Sequence, residues 1–522
     1  MVAGRASYLP HMPLALAHLL DDPGTRESLT SRHLPAYLER QRWYTSKGKA
    51  IDAIELTAVP SPRADMGLWL AELRFRGGER ELRVLALVER DGVAFAPDDA
   101  RVVCRTDGGT LLDACGEEEF RAMLYEVMAA ERAVAHGGAT LRGQAGRVCR
   151  ERPVYERSAL PAQNSSNTVL TYGADGFFKL FRKTEAGVHP DAELIGYLSG
   201  QRDFASVPAF GGSLEYVGPD GGEPITLGLM LGRVDHRGEA WEVIQHEMSS
   251  YAGAYQSSSS LRGIDIAADL DKPLTVTDLP PELAAAMGER ACARLELLGR
   301  RTAEMHLHLG AAQGDGLTAV DLGADYWDDA KAGLLARLRT EAAYADEALR
   351  PALEQLVGYL EATVLPRVAR GRIRVHGDYH LGQVLDTAGD VVIIDFEGEP
   401  LHDLAYRRRR HPAHKDVAGM VRSLHYAPFA YALQEADGAE WAMRAARNWY
   451  HAASRIFLTS YYARAGRAAF LPGARAERAA LLAFFLADKA LYELAYERAS
   501  RPTWVSIPRT GILGVAEMLA AR

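Results

Sequence analysis

His376-Gly-Asp-Tyr-His-Leu-Gly-Gln-Val-Leu385 is followed by Val391-Val-Ile-Ile-Asp-Phe-Glu-Gly-Glu399. The first segment sets the carboxylate Asp378 in a loop right after a strand-like run, with the amide Gln383 five residues later. The second puts another carboxylate, Asp395, at the end of the next strand. That order of groups suits metal-assisted phosphoryl transfer. One carboxylate holds the attacking hydroxyl and takes up its proton, while an amide oxygen and a second carboxylate hold magnesium on nucleotide phosphates. A plain hairpin, with Gly377-Asp378 as its turn and Asp395 as a cap, accounts for either piece alone. Both together, each at the mouth of an apolar strand, favour the chemistry.

Working outward, Ile373-Arg-Val-His376 and Val391-Val-Ile-Ile394 read as a strand pair inside a region that turns Ala/Leu/Glu/Arg-rich and helical from about 280 onward. Toward the N-terminus, Leu34–Trp43 reads as a short amphipathic helix. The runs 50–59, 68–75 and 82–88 read as strands, with Gly77-Gly78 as a hairpin turn. A helical spacing of Phe120, Met123, Leu124, Val127 and Met128 opens a second unit near 116, followed by strands across 145–183. The expectation is an α+β chain with a β-rich N-terminal cap over 1–115, a nucleotide-binding lobe over 116–233 and a mainly helical lobe over 234–522.

The 522 residues carry 60 Lys+Arg against 69 Asp+Glu, a net charge of −9 with both signs interspersed, and are 48% hydrophobic. Substantial cores are expected. Neither a nucleic-acid backbone nor an anionic membrane is indicated as a partner. No apolar run approaches the ~20 residues of a bilayer span. The four cysteines are far apart, and Asp21-Asp22-Pro23 stands where a signal peptide would be cleaved, so the expected location is the cytoplasm. The run Arg407–Arg410 reads as a solvated loop, and His306 and His308, two apart on a helix, do not read as a metal pair.

The catalytic segments resemble the maltokinase-like branch of the aminoglycoside phosphotransferase and choline kinase superfamily, whose fold is protein-kinase-like. HGDxHLGQVL followed by IDFEGEP is the branch's signature, with Gln383 where many relatives carry asparagine. The likeness extends to Gln41–Lys49, Asn164–Thr168, Phe178–Arg182, Asp416–Tyr426, Asp488–Glu497 and Arg501–Trp504. It implies a bilobal kinase-like fold and use of ATP with Mg2+. It implies Asp378 as catalytic base with His376 supporting its loop, Gln383 and Asp395 as metal ligands, and Glu397 beside or on the metal. Lys179 would pair with the α- and β-phosphates, with Glu193 as its acidic partner. Ser165, Ser166 and Asn167 would lie over the phosphates, with the adenine against the strand containing Leu231.

On the acceptor side the resemblance implies a sugar hydroxyl. The branch's best-known activity makes maltose 1-phosphate, for α-glucan synthesis, in association with a trehalose/maltose-converting enzyme. His425, Tyr426 and Asp416 are the implied substrate residues, although Asp416 could equally cap its helix. Tyr426, Tyr492, Tyr496 and Trp504 offer ring faces for a sugar. His425 stands where maltokinases carry an acidic residue, and the family pattern lapses around Asp325-Tyr-Trp-Asp-Asp329. Some relatives phosphorylate glucosamine, whose ammonium would suit Asp325, Asp328 or Asp329. The alternatives to maltose are thus an amino sugar, giving glucosamine 6-phosphate, and a kinase-like module that binds nucleotide without turnover.

Overall fold

The structure is a computed structural model that describes residues 16, 21–91, 95–96, 99–106, 109–162, 166–400, 402–436 and 439–520. Two compact units emerge, one of Met1–Gly200 with Pro208–Val234, the other of Gln201–Val207 with Asp235–Arg522.

The first unit is built on two antiparallel sheets. Strands β1 (Ile51–Ala58), β2 (Met66–Phe75), β3 (Arg80–Arg90), β4 (Val102–Thr106) and β5 (Gly109–Asp113) run in the order β1-β2-β3-β5-β4. Period-two alternation explains how this sheet is buried on both faces. Trp69, Ala71, Leu73, Leu85 and Leu87 pack with Leu34, Tyr37 and Leu38 of the helix Leu34–Arg40. Leu68, Leu70, Val84 and Ala86 point the other way, onto Phe120, Leu124 and Val127 of the helix Glu118–Ala129.

The second sheet contains β6 (Ala133–His136), β7 (Ala139–Ala145), β8 (Ser158–Ala159), β9 (Thr168–Tyr172), β10 (Gly176–Leu180), β12 (Phe210–Val217) and β13 (Ile225–Gly232). The short β11 (Lys183–Thr184) leaves it to pair with β3. The described residues up to 115 therefore share a core with those that follow, because Phe178, Leu180 and Leu214 join Leu70 and Val84 in one cluster. A buried ion pair reinforces the join: Arg182 Nη2 lies 2.7 Å from Asp113 Oδ2, which also accepts the Tyr37 hydroxyl at 2.6 Å.

The second unit is mainly helical. Its helix Glu289–Ala311 packs so closely on Glu440–Ala465 that a Cβ at Gly299 would stand 2.4 Å from the Phe457 carbonyl oxygen. Two small sheets interrupt the helices: β14 (Gly238–Glu239), β17 (Val384–Asp386) and β18 (Val391–Ile393), and β15 (Val320–Leu322) with β16 (Val368–Arg372).

Here the structure corrects the sequence reading. Val391–Ile393 pairs with Val384–Asp386, while Ile373–His376 is no strand and makes only an isolated bridge, Ile373 to His411. The His376 N–H finds a side-chain carboxylate in place of a ladder partner, which removes the need for a neighbouring strand. The arginine run is also less solvated than expected, with Arg407, Arg408 and Arg410 half-buried. All four cysteines are buried and unpaired, and no helix among the described residues is long and apolar enough to cross a membrane.

Candidate active site

The loop carrying Asp378 is fixed from behind. Asp416, in the first turn of the helix His414–Glu435, is fully buried and accepts the backbone N–H of His376 at 2.7 Å and of Gly377 at 2.9 Å. His306 Nε2 lies 3.1 Å from the same carboxylate, and its Nδ1 lies 3.0 Å from the Tyr461 hydroxyl. Burial pushes the Asp416 carboxyl up, but His306 and the backbone donors outweigh it and hold it below its usual range. This places Asp416 beneath the loop and off the cavity lining, and its side chain does not cap its own helix. His376 Nε2 lies 2.9 Å from the Ile394 carbonyl oxygen, and its Nδ1 accepts the Asp378 N–H at 3.4 Å. His306 is spent on this scaffold, whereas His308 lies beside Phe204 and Asp203.

Gly377, at φ +89°, turns the loop in a conformation that favours glycine. Gly419 lets the helix pass close behind, since a Cβ there would stand 2.6 Å from the Tyr379 carbonyl oxygen. Both sides of that contact are backbone and neither can rotate away. Gly419→Ala is expected to destabilise the protein by about 1–3 kcal/mol, the usual cost of overpacking, read as a lower denaturation midpoint than wild type.

Asp378 lines a cavity of about 310 Å³ built wholly from the second unit. Its floor carries Lys489, whose Nζ lies 3.2 Å from Asp378 Oδ1 and 2.8 Å from Glu399 Oε1. Burial pushes the Asp378 carboxyl up, but Lys489 first and His380 second outweigh it, leaving the group below its usual range and ionised at neutral pH. The aromatic lining comprises Trp241, Tyr426, Tyr492, Tyr496 and Trp504, which includes all four ring faces anticipated from the sequence.

Two acids complete the wall. Glu497 accepts from Arg501, at 2.6 and 2.9 Å, and from the Tyr426 hydroxyl at 3.2 Å. Glu493 uses one oxygen, Oε2, to accept from Arg422 at 2.7 and 2.9 Å. Its Oε1 has no hydrogen-bond partner among the described residues. Burial outweighs Arg422 and raises the Glu493 carboxyl above its usual range, so a further cation nearby would favour its charged form.

Of the three substrate residues the resemblance implied, His425, Tyr426 and Asp416, Tyr426 alone lines this cavity. His425 turns into the core, where it stacks on Phe429 with ring centroids 4.3 Å apart and meets Tyr450 edge-on. One helical residue is a rotation of about 100°, enough to separate 425 from 426. Asp325 reaches Arg372 at 3.4 Å, and none of Asp325, Asp328 and Asp329 lines the cavity. Lys489, Glu493, Glu497 and Trp241 were not singled out from sequence. The spacing of 489, 492, 493, 496 and 497 along one helix face was the available signal, since charged and aromatic residues alternate there at intervals of three and four.

The hairpin of β17 and β18 carries the remaining acids. Val384 pairs with Ile393, which sets Gln383 beside Asp395, and Gln383 Nε2 donates to Asp395 Oδ2 at 3.1 Å. Asp395 adopts φ +66°, a conformation aspartate tolerates better than most residues. Asp395 and Glu397 each bring a carboxylate oxygen within 4.8 Å of the other.

In the first unit, Lys179 lies on β10 between Val169 and Leu229. Its Nζ is 3.0 Å from Asp191 Oδ2, a fully buried carboxylate in the first turn of the helix Pro190–Leu198. The sequence pointed to Glu193, two residues along the same helix. Leu231 is buried on β13, and Ser166 and Asn167 form the approach to β9, exposed and half-buried respectively. Ser165 lies outside the described residues.

Residues 262–449 match the model of the phosphotransferase enzyme family. A glucosamine kinase of Streptacidiphilus jiangxiensis is 32% identical over 173 residues, 31% of this chain and 36% of that protein. A glucosamine kinase of Mycolicibacterium smegmatis (strain ATCC 700084 / mc(2)155) is 49% identical over 49 residues, 9% of this chain and 12% of that protein. The chain thus matches well under half the length of these curated relatives. A solved glucosamine kinase in complex with glucosamine, ADP and inorganic phosphate superposes with a TM-score of 0.61 at 19% identity, covering 90% of this chain and 96% of the other. A second crystal form of a glucosamine kinase gives 0.62 at 20%, covering 90% and 95%. The chain shares the kinase-like fold of these proteins.

Proposed function

We propose that the protein is an ATP-dependent sugar kinase whose acceptor is an amino sugar of the glucosamine class. The observation that carries this reading is the cavity itself, where an ionised Asp378 and a half-buried Glu493, whose Oε2 alone accepts from Arg422, share one aromatic-lined space. The ring faces suit the apolar faces of a pyranose, and a sugar ammonium supplies the cation that Glu493 Oε1 lacks. The sequence resemblance pointed first to maltose. Two curated relatives that are glucosamine kinases favour the amino sugar.

The mechanism follows from the placement of the groups. Asp378 accepts the proton of the acceptor hydroxyl as its oxygen bonds to the terminal phosphorus of the nucleotide and the bond to the leaving ADP oxygen breaks. The proton then leaves from Asp378 to solvent. Asp416, through the N–H groups of His376 and Gly377, keeps the base from drifting, so much of the acceleration is positioning. Gln383, Asp395 and Glu397 form an all-oxygen donor set of the kind a hard divalent ion prefers, and they would hold Mg2+. When bound, the ion supplies charge neutralisation on the phosphates. Lys179, held by Asp191, is proposed to bind nucleotide phosphate.

ADP release with ATP and Mg2+, measured across glucosamine, N-acetylglucosamine, glucose, maltose and kanamycin, tests the reading. Glucosamine should turn over selectively, and N-acetylglucosamine, which lacks the ammonium, should not. Glu493→Gln should raise KM for glucosamine about 10–100-fold, as expected for loss of a charge-assisted contact, with little effect on glucose. Selective turnover of maltose would overturn the amino-sugar assignment. Nucleotide binding without turnover of any acceptor would overturn the kinase assignment.

A further inference from the structure

Lys489 stands directly on the reactive carboxylate, yet it belongs to a helix 111 residues away from Asp378 in the chain. Its ammonium lies 4.9 Å from the centroid of the Tyr492 ring and bridges Asp378 Oδ1 at 3.2 Å and Glu399 Oε1 at 2.8 Å. The second oxygen of Glu399 is held in turn by Lys415 at 3.5 Å and His402 at 3.4 Å. The result is a row of alternating charge, Lys415–Glu399–Lys489–Asp378, that ends on the base.

An exposed lysine in such a row would count for little, because solvent screens it. Here the Lys489 side chain is only 20% exposed and that of Glu399 only 9%, so the partners see each other at short range in a poorly solvated setting. The two oxygens of Asp378 are not equivalent. Oδ1 is taken by Lys489, whereas Oδ2 faces His380 Nε2 at 3.9 Å, beyond hydrogen-bonding distance.

We propose that Lys489, clamped by Glu399, is a positioning residue for phosphoryl transfer: by holding Oδ1 it fixes the plane of the Asp378 carboxylate and leaves Oδ2 to receive the acceptor hydroxyl. The lysine therefore governs turnover and leaves substrate affinity largely untouched. This inference rests on the sugar-kinase reading. Removing the ammonium would free Asp378 to rotate and leave it facing Glu399, a second carboxylate, across the vacated space. The other titratable groups that act on Asp378 include His376 and His380 of its own loop and Tyr492 of the helix that carries Lys489.

The test compares wild type with Lys489→Ala, Lys489→Met and Lys489→Arg in the ADP-release assay, with and without added ethylammonium. Lys489→Ala should lower kcat about 100-fold, the scale of a misplaced reacting group, while KM for ATP and for the sugar stays within about threefold. Ethylammonium, small enough to enter the space left by the truncated side chain, should restore kcat saturably in Lys489→Ala. It should not do so in Lys489→Met, where the space is filled. Lys489→Arg should retain more turnover than Lys489→Met. The acid limb of the kcat profile should move to higher pH in Lys489→Ala, since the ammonium that holds the Asp378 carboxyl down is gone.

Wild-type kcat in Lys489→Ala or Lys489→Met overturns the inference. So does a loss of kcat in a folded Lys489→Ala that ethylammonium leaves unchanged. Should Lys489→Ala fail to fold, the shape-conserving Lys489→Met carries the test through its kcat-against-KM split. Failure of the underlying reading is separately visible, because wild type would then release no ADP with any acceptor.

Discussion

Asp378→Asn is expected to bind nucleotide as wild type does and to lose about 10²–10⁴-fold in turnover, the range spanned by general-base catalysis. The substitution is nearly isosteric, so the loop should keep its shape: its fixing contacts run from Asp416 to the N–H groups of His376 and Gly377 and do not involve the Asp378 side chain. What disappears is the negative charge that takes the acceptor proton. The Lys489 ammonium remains paired with Glu399 and does not become a lone buried charge. Calorimetric titration with ATP analogue and the ADP-release assay separate the two effects. Undiminished turnover would remove Asp378 from the mechanism, and loss of nucleotide binding would show that the carboxylate serves folding or phosphate contact.

Asp416→Ala is expected to show the largest loss of stability, about 3–5 kcal/mol, the usual cost of breaking a buried charged network by deleting one member. Two backbone N–H groups and His306 lose their acceptor at once, with His376 and His306 buried and Gly377 half-buried. Turnover should fall with stability, because the Asp378 loop hangs from those two N–H groups. Asp416→Asn, which keeps one acceptor oxygen, should be intermediate. The pH dependence has a definite sign. The Asp416 carboxyl is held below its usual value, so its stabilisation is present above the unfolded-state value near 3.8 and is lost as pH falls through the lower folded-state value. The stability gap between wild type and Asp416→Ala should therefore hold from neutral pH to about pH 4 and close below it. Thermal melts of both proteins across that range provide the measurement, and a gap that widens on acidification would contradict the assignment.

The contrast between Tyr426 and His425 shows why the candidate site was only partly legible. Both lie in one helical segment with equal claims by resemblance, yet one lines the cavity and the other packs on Phe429 and Tyr450. Sequence gives the periodicity of a helix but not the direction its faces point, which is set by what packs around it. The same holds at Lys179. Asp191 and Glu193 share one helix, and its first turn sets Asp191 against the ammonium, a contact that spacing along the chain did not single out. Asp325, Asp328 and Asp329 had the right charge for an amino sugar, but their helix carries them away from the cavity that Glu493 and Glu497 enter.

What the sequence determined by itself is local. The loop around Asp378, the strand that leads into Asp395, and the change from β-rich to helical near the middle of the chain rest on turn chemistry, period and spacing over a few residues. These survive almost unaltered in the structure, apart from the exchange of Ile373–His376 for Val384–Asp386 as the partner of β18. Tertiary structure alone decided which charges meet. Asp416 lies 40 residues beyond His376 and Lys489 lies 111 beyond Asp378, yet they set the loop's position and the base's charge. A carboxylate's role depends on its burial and on the partners that offset that burial, and both are properties of packed helices that no local run of residues encodes.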